Sequence, residues 1–175
     1  MSLKTIKHDS TDENFRRDAA NLIASARKEV LVIVGDIRAY GFPDLKWAVE
    51  RARKKGVSVR IYAANPPQQM VNGLLAKGIR VYKGPVMKDH YLIVDSKSFT
   101  HSKPHPPVVG KREGKVYVNK PAATRKVVKR FEKLVEKSKP LTRVDWKQDS
   151  LWKALQKPFD WKVDTHASRL DEEFA

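Results

Sequence analysis

The stretch Lys54–Ala64, KKGVSVRIYAA, decides the fold. Its two lysines and Gly56 close an amphipathic segment, because a glycine just past the last apolar repeat is a helix stop. The apolar, β-branched run Val57–Ala63 (VSVRIYA) that follows reads as a strand. Upstream, Pro43 opens the helix that Gly56 ends, with Leu45, Ala48, Val49 and Ala52 on its inward face. Farther upstream, Val30–Val34 (VLVIV) is a continuous apolar run, the habit of a strand buried on both faces. Downstream the unit repeats: Asn65, Pro66 and Gln68 start a helix, Gly78 stops it, and Ile79–Tyr82 is a third strand.

The outer segments follow from the same signals. Ser10–Glu13 has capping-box spacing, and Phe15, Ala19, Leu22, Ile23 and Ala26 share one helical face. His90–Val94 (HYLIV) reads as a fourth strand. A polar, proline-containing stretch then leads to a fifth, Lys115–Asn119 (KVYVN). Ala122–Lys137 is an amphipathic helix with Val127, Val128, Phe131, Leu134 and Val135 as its apolar stripe. Helices alternating with apolar strands imply an α/β sandwich on a mostly parallel or mixed sheet. The expected organisation is a leader over 1–11, a domain over 12–138 and a C-terminal extension over 139–175. That extension carries Trp146, Trp152, Phe159 and Trp161 and a short helix around 147–156. Its aromatics are the expected contact for a protein partner.

The 175 residues contain no cysteine, which excludes a disulfide framework, a thiolate zinc site and a cysteine nucleophile. No apolar run is long enough to span a bilayer. Met1–Asp9 is polar and does not read as a signal peptide, so the expected compartment is the cytoplasm. Lys and Arg number 36 against 20 Asp and Glu, a net charge of +16. The excess is local: residues 1–140 hold 30 basic and 13 acidic residues, whereas 141–175 hold 6 and 7. Such a field attracts polyanions, and nucleic acid is the expected partner. Between 111 and 139 there are 11 basic and 3 acidic residues. Lys111, Arg112, Arg125, Lys126, Lys129, Arg130 and Lys133 are expected to track phosphates there. No base-reading motif accompanies them, so sequence-specific recognition is not expected.

The order of these elements resembles the phospholipase D superfamily, in particular its small members with one half-repeat per chain. The resemblance rests on Gly56-Val57-x-Val59-Arg60-Ile61, on Gly78-Ile79-x-Val81, and on the closing Val116–Leu134 stretch with its Phe131-x-x-Leu134 helix. The family signature is His-x-Lys and then, after four residues, Asp. The corresponding segment is Lys88-Asp89-His90-Tyr91-Leu92-Ile93-Val94-Asp95. Lys88 stands at the His position, His90 at the Lys position, and Asp95 matches. Where the family has Gly-Ser-x-Asn, this chain has Ser102-Lys103-Pro104-His105.

The resemblance implies a homodimer and phosphodiester chemistry with neither metal nor cofactor. In the family the His attacks phosphorus, the Lys holds the phosphate oxygens, and a second His across the twofold axis protonates the leaving group. The exchange moves the imidazole two residues along a strand, about 6.6 Å. In-line attack requires about 3–3.5 Å. Lys88, His90 and Asp95 are therefore candidates for a degenerate catalytic set. Lys88, His90, Lys103 and His105 are candidates for an anion-binding cleft. A metal reading of His90, His101 and His105 fails on spacing, since His101-Ser-Lys-Pro-His105 is a proline-broken loop. The expected function is nucleic-acid binding with little or no cleavage. The rival expectations are an active metal-independent nuclease or phosphodiesterase, and a structural component of a ribonucleoprotein or viral assembly.

Overall fold

The structure, a computed structural model, describes residues 5–9, 13–35, 37, 43–64, 66–87, 89–102 and 113–143. The chain divides into two units, Met1–Arg143 and Val144–Ala175. Trp146, Trp152, Phe159, Trp161 and the helix expected around 147–156 lie outside the described residues.

Among the described residues, eight strands and four helices follow one another as β1 (Thr5–Asp9), α1 (Glu13–Ala24), β2 (Glu29–Val34), α2 (Pro43–Lys54), β3 (Ser58–Ala64), α3 (Gln68–Ala76), β4 (Arg80–Gly84), β5 (His90–Val94), β6 (Ser98–Ser102), β7 (Glu113–Tyr117), α4 (Pro121–Glu136) and β8 (Lys139–Pro140). They build one mixed sheet in the order β1-β7-β6-β5-β2-β3-β4-β8. β2, β3 and β4 run parallel to one another, as helix crossovers require. The other five pairings are antiparallel.

The apolar run of β2 is buried on both faces. Val30, Val32 and Val34 join the layer formed by α1, α2 and α3. Leu31 and Ile33 face the opposite layer, where Phe131 of α4 packs on Tyr62, Tyr82, Ile93 and Phe99. Gly56 and Gly78, at φ 82° and 71°, end α2 and α3. The Val57 amide donates to the Ala52 carbonyl and the Ile79 amide to the Leu74 carbonyl, the six-residue closure of a Schellman cap. α4 is also pinned electrostatically. The Arg60 guanidinium binds both carboxylate oxygens of Glu132, at 3.0 and 2.7 Å, and lies 5.0 Å above the Phe131 ring centroid.

Three strands differ from expectation. Thr5–Asp9, within the segment read as a leader, pairs with β7 along its full length. Lys139–Pro140, within the segment read as an extension, pairs with β4. Ser98–Ser102, read as part of a polar connection, is β6. Ser98, Thr100 and Ser102 are its buried residues on one face, so the apolar alternation is absent although the strand is interior.

Candidate nucleic-acid interface

The parallel strands end at Val34, Ala64 and Gly84, and the antiparallel β5 begins beside them at His90. Ligand clefts of α/β sheets lie at such carboxyl ends. His90 is in phase with buried Leu92 and Val94 and stands opposite Ser102 in register. Its Nε2 is only 3.0 Å from where a Cβ on Gly35 would lie. The glycine that closes EVLVIVG therefore leaves room for this ring. The structure thus places His90 at a strand end, directly across from the residue that precedes Lys103. Lys88, Lys103, His105, Lys111 and Arg112 lie outside the described residues.

Asp95 does not join His90. It ends β5 at the far side, five residues away, or about 17 Å along an extended strand. With Ser96 it forms a tight turn at φ 50° and 53°, closed by the Lys97 amide donating to the Val94 carbonyl at 3.0 Å. Its carboxylate accepts from the amides of Arg27, Lys28 and Glu29 at 2.9, 2.8 and 3.0 Å. This ties the entry of β2 to the β5–β6 turn. Burial works against the charge, but the three amides and the Lys97 charge outweigh it and hold the carboxyl below its ordinary value. A depressed folded-state value means that the charged form stabilises the fold above about pH 4. That contribution fades as pH falls further. We expect Asp95→Asn to lower the melting temperature at pH 7, and the gap from the parent to narrow as pH falls below about 4, as read by circular dichroism.

The α4 side of the same strand ends carries a second cluster. Tyr91 and His101 are register partners, stacked with centroids 4.8 Å apart at 17°. His101 Nε2 lies 3.2 Å from Asp89 Oδ1. Arg130 of α4 donates from Nη1 to the Tyr91 hydroxyl at 3.2 Å, stands 5.4 Å over its ring, and comes within 3.6 Å of Asp89 Oδ2. Burial foremost, then the Asp89 charge, push the Tyr91 phenol up, so it remains an uncharged hydroxyl. Lys115 is opposite His101 on β7. The sequence showed Asp89 only as a spacer within a motif and His101 only as a failed metal ligand. Their meeting depends on register across a hairpin, which no local pattern encodes.

The outer face of α4 is basic. Arg125, Lys126, Lys129, Lys133 and Lys137 are exposed. Lys126, Lys129, Lys133 and Lys137 recur at intervals of three and four residues, the spacing of one helical face. Among the described residues, none of these four has an acidic partner. Arg130 was expected in the same row, but it sits on the flank of the helix and is engaged by Tyr91 and Asp89. Among the described residues no three His, Asp or Glu side chains converge to hold a metal ion, and no helix is long and apolar enough to cross a membrane.

No protein-family model matches the chain, and no curated protein sequence does. Solved structures do. Nuc from Salmonella typhimurium, described as a phospholipase D family member, superposes with a TM-score of 0.63 at 16% identity, over 80% of this chain and 97% of that one. NucT from Helicobacter pylori superposes with a TM-score of 0.62 at 16% identity, over 80% and 100%. TrmBL2, an archaeal chromatin protein that binds DNA, superposes with a TM-score of 0.59 at 10% identity, over 79% of this chain and 54% of its own. The fold is that of the phospholipase D superfamily.

Proposed function

We propose that this chain binds the phosphodiester backbone of nucleic acid, independently of sequence, and cleaves it weakly or not at all. The observation that carries the reading is the outward row Lys126, Lys129, Lys133 and Lys137 on a body with a net charge of +17. Phosphate contacts supply sequence-independent affinity of this kind. The sharing of the fold with a DNA-binding chromatin protein supports it. His90, two residues after Lys88 and opposite Ser102, which precedes Lys103, is the remnant of the phosphodiester-binding motif. The functional unit is a homodimer, because one half-motif per chain needs a second copy to face it.

The exchange of His and Lys at 88 and 90 underlies the low cleavage. With EDTA present, we expect the parent to bind DNA or RNA and leave it uncut. The double variant Lys88→His, His90→Lys should bind about equally and show weak, metal-independent cutting. Light scattering on the protein without nucleic acid, at micromolar concentration, should give a mass near twice the 20.0 kDa chain. A parent that cuts in EDTA, and loses cutting but not binding on His90→Ala, would establish the active phosphodiesterase instead.

A further inference from the structure

We propose that Arg130, His101 and Lys115 form a second phosphate subsite, on the sheet face opposite His90, and that Asp89 occupies it when no ligand is bound. This rests on the nucleic-acid reading above and specifies one of its contact points. In the free protein the Asp89 carboxylate is held between an imidazole and a guanidinium: Oδ1 is 3.2 Å from His101 Nε2 and Oδ2 is 3.6 Å from Arg130 Nη1. A carboxylate presents two oxygens to such a pair much as a phosphodiester presents its two non-bridging oxygens. The geometry that receives Asp89 is therefore one that receives a backbone phosphate.

Five further features make the cluster more than an ordinary surface ion pair. Both side chains have supports other than Asp89: His101 is stacked on Tyr91, and Arg130 is bound to the Tyr91 hydroxyl and lies over its ring. Lys115 lies opposite His101 in the sheet and adds positive charge on the same face. The site is also accessible, with Asp89 30%, His101 27% and Arg130 41% exposed. It adjoins the outer lysines of α4, since Arg130 lies one residue beyond Lys129 and projects from the flank of the same helix. A strand running along the lysine row passes beside Arg130, between Lys129 and Lys133. Asp89 stands on the connection between β4 and β5 rather than inside a strand, so its release breaks no sheet hydrogen bond.

Removing the resident carboxylate should therefore strengthen binding, the opposite of what loss of a structural ion pair would do. The probes are a fluorescent single-stranded oligonucleotide and a duplex of the same length, at about 50 mM salt. Asp89→Asn, which keeps size and shape, should raise affinity about three- to fivefold, the scale of one exposed charge pair. Asp89→Ala should do the same, which covers any residual bonding by the amide. The gain should disappear when Asp89→Asn is combined with Arg130→Gln or with His101→Gln. Asp44→Asn makes the same charge change on α2 and should bring no comparable gain.

Unchanged or reduced affinity in both Asp89 variants, or a gain that survives the double substitutions, overturns the subsite while leaving the lysine row intact. A parent that binds neither oligonucleotide overturns the underlying reading and the subsite with it. A gain on phosphatidylglycerol vesicles without one on oligonucleotides overturns nucleic acid as the ligand.

Discussion

Replacing Lys126, Lys129, Lys133 and Lys137 together by Ala should lower nucleic-acid affinity by roughly three orders of magnitude at 0.1 M salt. The estimate follows from counterion release. Each phosphate neutralised contributes about −0.9 to the slope of log K against log salt on duplex DNA. The four lysines cover 11 intervals of α4, about 16 Å. Measured along the duplex axis, that span holds about five phosphates of one strand, one per 3.4 Å. A parent making about five contacts should show a slope near −4 to −5, and the quadruple variant a slope near −1. The loss should be alike on unrelated sequences, because the contacts are to backbone. Alanine is the best helix former and these positions are exposed, so thermal stability should hold. Anisotropy titrations at 50, 100 and 200 mM salt measure both quantities. An unchanged slope would place the binding surface elsewhere.

The second large effect concerns the mount on which that row sits. Phe131→Ala should cost about 3–5 kcal/mol, the range for emptying a fully enclosed aromatic site. Phe131 is fully buried between α4 and Tyr62, Tyr82, Ile93 and Phe99, and the Arg60 guanidinium covers its ring. α4 is the one helix whose apolar face packs against this side of the sheet among the described residues, so no neighbouring helix can close the cavity. Arg60 is half-withdrawn from water and stays charged because Glu132 and Glu29 outweigh its burial. Loosening α4 therefore also strips a partly buried cation of its partners. A domain of this size typically holds 5–15 kcal/mol in all. The melting temperature should fall by roughly 10–20 °C, with loss of nucleic-acid affinity in the same range of temperature. Phe131→Leu should cost well under half as much. A loss below about 1 kcal/mol for Phe131→Ala would show that α4 is not a structural layer.

Sequence patterning made the centre of the sheet legible and its flank much less so. β2 announced itself because both its faces are apolar, and β3 and β4 because Gly56 and Gly78 mark where α2 and α3 must stop and apolar runs follow. α4 was equally clear from its stripe around Phe131. β6 was hidden, because its buried face is Ser98, Thr100 and Ser102. Such a face is stable only when hydrogen bonds meet its polar atoms, as the Asn119 amide does for the Ser98 hydroxyl. The turn that sets its register, Asp95-Ser96, lacks the Asn-Gly or Asp-Gly signature of two-residue hairpins. Without that register, the approach of Asp89 to His101 could not be foreseen. Asp95 illustrates the converse: the motif marked the residue, but only the three amides around it reveal what it holds together.

The pairing of β1 with β7 bears on the order in which this protein can be made. Thr5 meets Tyr117, so β1 leaves the ribosome 112 residues ahead of the strand it pairs with. At about 5–20 residues per second, the interval is on the order of 5–20 s. During it, β2, β3 and β4 can assemble with α1–α3 from neighbouring sequence, whereas β1 still lacks β7, the strand it pairs with. Completion of the sheet is thus a late, long-range closure, costly in chain entropy and slow by topology. A chain shortened past Asp9 would be left with β7 as its outer edge, a row of unpaired amides and carbonyls ready to recruit another copy.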